Sequence, residues 1–563
     1  MKYKFIIFLL ICPLFFISCE KKEVTKEDAM GIIKNYEKMD IVKAKVDKMA
    51  PVEITYDSTG LSENDKKALD LIVKAAQYMD DIFLGQVYSK NEALRTELMK
   101  KDNPDYAALG ELFKIHMGPF DRLENHKPFL NLEENKPAGA NFYPADITKE
   151  EFEAYIKAHP EDEKSFTAER TLIRRQNGKL VAIPYAEAYK EFLEPTAKLL
   201  KEAAQYTENP SLKKYLVSRA DAFASDDYYQ SDIDWVLLKD HKIEVVIGPY
   251  EVYEDGLFGY KSSFEAFVSL VDEAESKKLQ VLGTYLDDME KSLPIDDQYK
   301  NFARGKSSPI MVVNEVFTAG DTKAGVQTTA YNLPNDERVR ESTGSKKVML
   351  KNIAQAKFEK CWIPIVKEVL SEADLPFCSF DSYFNHVLMH EIAHGLGPGN
   401  IEKDGKKTSV NKELKELYSI IEEAKADIVG LYCYQLMLDK GIFPKELEKN
   451  IYVTYLGGIF RSVRFGIEAA HGGGNAIQLH YILEKGGFSF DDKTARFKLN
   501  PDKIKEAVKQ LAHDILIIEA LGDYNKAKEM IAKYCVISPQ LKQALDKLVH
   551  VPVDIKPIYA IEK

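Results

Sequence analysis

The chain has 563 residues, 45% hydrophobic and 29% charged, proportions of an ordinary globular protein long enough for two or three domains. Its formal net charge of −12 argues against a general nucleic-acid binder, because such proteins carry a basic face that neutralises phosphates. No nucleic-acid partner is expected.

The first residues form a unit of their own. Lys2 and Lys4 give a positive start, and residues 5–17 are an apolar run. The run is short for a bilayer-spanning helix and has the length of a signal-peptide core. It ends in Phe16-Ile17-Ser18-Cys19, which resembles a bacterial lipoprotein box. That resemblance implies a signal peptide over residues 1–18, acylation of Cys19 and a solvated tether over residues 19–25. An ordinary signal peptide or an uncleaved anchor is the other reading. The expected location is that of an exported bacterial lipoprotein, periplasmic or anchored at the outer membrane through Cys19. No later stretch reads as a transmembrane helix. Removing the signal removes Cys12. Beyond Cys19 this leaves Cys361, Cys378, Cys433 and Cys535, none in a CxxC pair, so a cysteine zinc site is not expected. Buried free thiols are expected, though spacing leaves disulfides open.

Residues 26–240 read as mainly helical, with apolar positions at helical spacing such as Leu69, Ile72, Val73 and Ala76. Asp102-Asn103-Pro104 and Glu134-Asn135-Lys136-Pro137 break the pattern. The character changes near residue 242. Residues 243–247 are Ile-Glu-Val-Val-Ile before Gly248-Pro249, a strand signature, and residues 309–316 and 326–331 look similar. Residues 241–350 are therefore expected to be mixed α/β. Helical patterns return over residues 351–550, and residues 551–563 read as a C-terminal tail.

His390-Glu391-Ile392-Ala393-His394 carries the chemistry. Residues four apart on a helix lie about 40° apart and one turn along, so both imidazoles reach one ion. Glu391 stands beside them, placed to take a proton from an attacking water. Phe384, Leu388 and Ile392 make an apolar row, and Gly395 is expected to end the helix in a left-handed conformation before Pro398. A long helix over about 412–440, ending at Gly441, contains Glu422-Glu423-Ala424-Lys425-Ala426-Asp427. Catalytic zinc takes three protein ligands and keeps one position open, and Glu423 is a suitable third ligand. Asp427, one turn further on the same face, is placed to accept a hydrogen bond from a ligating imidazole and fix its tautomer, and Glu422 is expected to support the site from behind the ligands. A solvated charge run is the plain reading of such a sequence elsewhere. His386 lies four residues before His390 and reads as a supporting or surface histidine rather than a ligand. The expected cofactor is one Zn2+ per chain, a preference from ligand type.

With these two motifs in place, the sequence resembles the dipeptidyl-peptidase III family of zinc metallopeptidases. That family joins an HExxGH-type zinc helix to a later EExxAE-like motif whose second Glu is a ligand. Here the first motif is HExxH followed by Gly, which needs none of the helix distortion that five-residue spacing demands. Asp427 replaces the last Glu. Glu251-Val252-Tyr253 resembles the family's Glu-x-Tyr segment, Asn332-Leu333-Pro334-Asn335 its NxPN segment, and Ala470-His471 with Leu483-Glu484 the stretch carrying a catalytic histidine. The resemblance, over roughly residues 240–490, implies that Tyr253 and His471 donate to the oxyanion of the reaction. It also implies that Glu251, Asn332 and Asn335 bind a substrate's free N-terminus. The family usually has an Arg where Asn475 stands. His471-Gly472-Gly473-Gly474 also resembles an esterase oxyanion loop, but no Gly-x-Ser-x-Gly elbow accompanies it, and a flexible turn before a helix near Asn475 is expected.

The resemblance implies an α+β fold of two lobes, a mostly helical zinc-carrying lobe and a mixed helical/β lobe flanking a cleft. The expected activity is zinc-dependent hydrolysis of peptide bonds, releasing dipeptides from the N-termini of short peptides, with Glu391 as general base. Two alternatives stay open: a zinc hydrolase of other specificity (aminopeptidase, endopeptidase or amidase) and a non-catalytic peptide-binding lipoprotein.

Overall fold

Two large hydrophobic cores divide the chain into the lobes of an α+β fold, with a smaller core of N-terminal helices beside them. The computed structural model describes residues 26–563 apart from residues 35, 101–102, 133–134 and 303–309. The apolar run, Cys19 and the tether lie outside the described residues.

The first lobe opens with strand β1 (Met49–Ile54) and the long helix α1 (Glu63–Val87). Ser62 caps α1 by accepting from the Asp65 amide. The apolar row of the sequence, from Leu69 through Ala76 to Met79, is its buried face. Helix α2 (Lys190–Tyr206) packs along α1, and α3 (Pro210–Ser225) starts on an Asn209 cap with Pro at its first position. The region is less purely helical than expected. Residues Thr171–Gln176 and Lys179–Pro184 form a hairpin whose Asn177-Gly178 turn has positive φ at both residues, +50° and +76°. Asn-Gly is the dipeptide such a turn favours.

The central sheet has five strands: β2 (Ile243–Glu251), β3 (Ser263–Val271), β4 (Ile310–Gly320), β5 (Ala330–Leu333) and β6 (Lys346–Leu350). Their order is β2-β3-β4-β6-β5, so β5 is an edge. Only β4 and β6 run parallel; the other pairs are antiparallel. Helix α1 crosses β3 and β4, and both faces of β2 and β3 are buried, hence their near-continuous apolar sequences. The strand expected over residues 326–331 begins only at Ala330. Ahead of it, the Gln327 amide donates to Asp554 Oδ2 at 2.7 Å instead of to a neighbouring strand.

The second lobe is helical: α4 (Phe380–Ala393), α5 (Tyr418–Asp439), α6 (Glu448–Val463), α7 (Ala470–Glu484) and α8 (Ile504–Leu521). Helix α5 is central and packs against α4, α7 and α8. The helix expected from residue 412 is interrupted: Val410–Leu414 is a separate short helix, and Lys415, at φ +54°, turns the chain before α5 begins. Gly441 follows α5 at φ +72°. The last residues are not a loose tail. Strand β7 (Asp554–Tyr559) pairs in parallel with β1, and Ile555 and Tyr559 enter the sheet lobe's core. Cys361, Cys378, Cys433 and Cys535 are free thiols. Among the described residues no helix is long and apolar enough to cross a membrane.

Candidate active site

Helix α4 starts at Ser379, whose side chain accepts from the Ser382 amide, and it buries Phe384, Leu388 and Ile392. It ends at Ala393. Gly395 does not take the left-handed conformation expected of it; Gly397 does, at φ +76°. The last turn has a different terminator. The buried Lys425, on α5, donates to the carbonyls of Ala393 at 3.1 Å and of His394 and Leu396 at 3.4 Å. A cation at the negative end of a helix is favourable, and Glu422 neutralises it at 2.8 Å.

Glycines set how close the helices come. A Cβ on Gly430 of α5 would stand 2.9 Å from the His390 nitrogen, and one on Gly474 of α7 would stand 3.0 Å from the Ala424 nitrogen. Residues 472–474, expected as a turn, therefore lie inside α7, where their missing side chains let it approach α5. A Cβ on Gly472 would meet the Gly466 carbonyl at 1.9 Å.

This packing brings His390, His394 and Glu423 together, with ligand atoms all within 4.8 Å of one another. The two Nε2 atoms are 3.2 Å apart, and Glu423 Oε2 is 3.4 Å from His390 Nε2 and 4.0 Å from His394 Nε2. Three donors bonded to one ion at about 2.0–2.2 Å in a tetrahedron need about these separations. Glu423 Oε2 is buried with no well-formed hydrogen bond, which is the state of an atom reserved for an ion. The set fits zinc.

Both imidazoles are held from behind. His390 Nδ1 meets Asp427 Oδ1 at 2.7 Å, and His394 Nδ1 meets Glu422 Oε1 at 2.7 Å. These bonds turn both Nε2 atoms toward the shared point. The second oxygen of Asp427 accepts from Asn475 Nδ2 and Gln478 Nε2, each at 3.0 Å. Asn475, standing where the resembling family has Arg, is thus used inside the protein. Burial pushes the Asp427 carboxyl up, but His390 outweighs it and holds it down at about 2. Burial acts likewise on Glu423, and His390 and His471 hold it well below the usual carboxylate range. His390 is pushed down by burial and up by Asp427 and Glu423, ending near 10. The carboxylates around His390 thus favour positive charge at this point, and a metal ion held there would do so with release of protons. His386 is half-buried, with Nε2 3.2 Å from the Asp427 carbonyl and its ring 5.3 Å from Tyr455, so it supports α5 rather than ligating.

His471 sits at the start of α7, its Nδ1 3.0 Å from Glu423 Oε2 and its ring 5.9 Å from that of His390. Glu391 points to the sheet lobe, where Lys347 of β6 meets its Oε2 at 2.8 Å. Burial pushes the Glu391 carboxyl up; Lys347 and the two histidines more than offset this. Lys347 and Lys425 are the residues that motif reading passed over. Both are lysines facing the end of α4; Lys425 lies within the motif of residues 422–427, whereas Lys347 follows the segment of residues 332–335 with no motif of its own.

The expected substrate-binding residues gather on the sheet lobe. Asn335 Nδ2 donates to the Tyr250 carbonyl at 3.1 Å and to Glu251 Oε1 at 3.4 Å. Arg340 donates to Asn335 Oδ1 at 3.2 Å, which fixes the amide's orientation. Asn332 lies on the edge strand β5, exposed, and opposite Lys347 in register. Tyr253 is 82% exposed, and among the described residues no hydrogen bond joins it to the histidine cluster. Glu251 and then burial push its phenol up.

A model of the group described as Peptidase family M49 matches residues 131–427, over half of the chain and both metal motifs. The chain belongs to peptidase family M49. This M49 chain is similar in structure to the dipeptidyl-peptidase III of Caldithrix abyssi, at 56% identity and a TM-score of 0.90, covering 92% of this chain and 99% of that one. The enzyme of the same name from Corallococcus sp. strain EGB matches at 42% identity and a TM-score of 0.78, covering 94% and 98%. Nudix hydrolase 3 of Arabidopsis thaliana is 39% identical over 92% of this chain and 74% of its own length. Dipeptidyl peptidase 3 of Nematostella vectensis is 26% identical over 54% of this chain and 48% of its own length. Membership makes the protein a metallopeptidase that hydrolyses peptide bonds.

Proposed function

We propose that this M49 peptidase uses zinc to release dipeptides from the N-termini of short peptides, outside the cytoplasm, on a lipid anchor at Cys19. The observation that carries the reading is the convergence of His390, His394 and Glu423, with Glu391 beside them on the side of the substrate sheet.

These three residues would hold the ion, which when bound acidifies water and polarises a carbonyl. The remaining work belongs to the chain. Glu391, ionised beside Lys347, takes the attacking water's proton and passes it to the leaving amine. Tyr253, a phenol protonated at neutral pH and pushed further up by Glu251 and burial, serves as a donor to the oxyanion, as does His471. Glu251, pushed up by burial with Asn335 and Arg340 opposing, would be further favoured in its charged form by an incoming ammonium. The unpaired side of β5 offers backbone groups to an extended peptide, and Asn332 stands on that strand. Signal-like residues 1–18 and Cys19 support export and acylation.

The test is hydrolysis of an unblocked dipeptide–arylamide alongside its N-acylated form, with zinc content measured on the same sample. Expected are release of intact dipeptide, loss on chelation, recovery with zinc and no cleavage of the blocked substrate. Glu391→Gln is expected to lower kcat by about 10²–10⁴-fold with bound zinc unchanged; full turnover in that variant overturns the mechanism. Cys19→Ser is expected to move the protein out of the membrane fraction.

A further inference from the structure

Lys346 and Lys347 are consecutive on β6, so their side chains leave opposite faces of the sheet. Lys346 turns into the sheet lobe, where its ammonium pairs with the buried Glu244 at 2.8 Å and lies 4.2 Å from the centre of the Trp235 ring. Lys347 turns out of that lobe toward α4. Its Nζ donates to Glu391 Oε2 at 2.8 Å and to the Glu391 backbone carbonyl at 3.3 Å. Both side chains are three-quarters or more shielded from solvent, so this pair is screened less than a surface ion pair.

The two bonds differ in kind. The carbonyl belongs to the last turn of α4, whose C=O groups have no partner within the helix, and it anchors the ammonium. The anchored ammonium then fixes the carboxylate, which would otherwise swing about its own side-chain torsions. A general base must stay within hydrogen-bond reach of the proton it removes. On the other side of Lys347, its register partner is Asn332 of the edge strand. One lysine thus spans from the strand proposed to bind substrate to the residue next to His390.

We propose that Lys347 is the positioning residue for Glu391, setting the carboxylate's orientation toward the histidine cluster and tying that orientation to the place of the edge strand. The proposal rests on the reading of Glu391 as general base. The Lys347–Glu391 pair would then be a second contribution of the sheet lobe to the catalytic machinery, beside Tyr253.

The experiment uses the detergent-solubilised full chain, a dipeptide–arylamide substrate and the variants Lys347→Met, Lys347→Gln and Lys347→Arg, each in the wild-type and Glu391→Gln backgrounds. Steady-state constants and zinc per chain are measured for all. Lys347→Met is expected to lower kcat about 10- to 100-fold, the effect of misplacing a reacting group by about an ångström, with KM and zinc content near wild type. Lys347→Gln, an uncharged side chain that still donates, is expected to fall the same way and serves if the Met variant does not fold. Lys347→Arg is expected to recover most of the loss, and no Lys347 change is expected to slow Glu391→Gln further. A kcat unchanged or raised in both neutral variants, a loss confined to KM or to zinc content, or an Arg variant no better than Met overturns the proposal. If Glu391→Gln itself retains turnover, the general-base reading falls. If it is inactive while the neutral Lys347 variants are fully active, only this inference falls.

Discussion

At the scale of single residues, Asp427 shows how much of a metal site lies outside its ligands. One oxygen orients His390 and the other is occupied by Asn475 and Gln478, so the carboxylate has no freedom to rotate away. Asp427→Asn keeps the shape but places an amide nitrogen or a neutral oxygen against an imidazole that needs an acceptor. It is expected to weaken zinc binding by about 10–100-fold, measured by competition with a chromophoric chelator at fixed pH. The ligands and Asp427 were legible because their spacing is local: four residues on α4, four on α5. Asn475, Gln478 and Lys347 were not, since their partners lie 48, 51 and 44 residues away. No window of helical or strand periodicity spans such separations.

At the scale of elements, the three glycines after His471 reverse a local rule. Glycine costs about 1 kcal/mol against alanine inside a helix, and on propensity alone residues 472–474 read as a turn. They are helical because α7 must lie against α5 and against the chain around Gly466 and Ile467, where any Cβ would strike backbone. Packing outweighs propensity here, and packing is invisible to the sequence until the neighbouring helix is known. The balance is testable with a pair of substitutions. Gly474→Ala gains helix propensity but sets a methyl group 3.0 Å from the Ala424 nitrogen and 3.3 Å from the Ile420 carbonyl. Backbone cannot give way as a flexible side chain does, so a net loss of about 1–2 kcal/mol is expected, with weaker zinc binding because Glu423 adjoins the contact. Gly85, in α1, has nothing within 4 Å of its absent Cβ, so Gly85→Ala is expected to gain up to about 1 kcal/mol. Urea denaturation of the two variants measures both signs.

At the scale of the whole molecule, the lobes meet at a buried carboxylate that begins the last strand. Asp554 is fully buried; Lys357 Nζ lies 3.0 Å from its Oδ2 and the Gln327 amide 2.7 Å. Its other oxygen is 3.6 Å from Arg461 of α6, in the helical lobe. Residues from the loop before β5, from the Lys351–Lys357 helix after β6 and from α6 therefore converge on one side chain brought in by β7. The final segment, expected as a tail, contains Pro552 and Pro557, and a strand interior disfavours proline; among the described residues β7 pairs with β1 alone and so is an edge of its small sheet, where proline is tolerated. Burial pushes the Lys357 ammonium down, with Asp554 opposing. Removing the carboxylate leaves that cation buried without its counter-ion, and such losses cost about 3–5 kcal/mol. Asp554→Ala is therefore expected to lower the urea midpoint of the entire protein, whereas Asp554→Leu with Lys357→Met, which removes both charges, is expected to recover most of the loss. If the double variant is no more stable than the single one, the stabilisation comes from Asp554's contacts with Gln327 and Arg461 rather than from its pairing with Lys357, and the seam depends on the carboxylate's own hydrogen bonds.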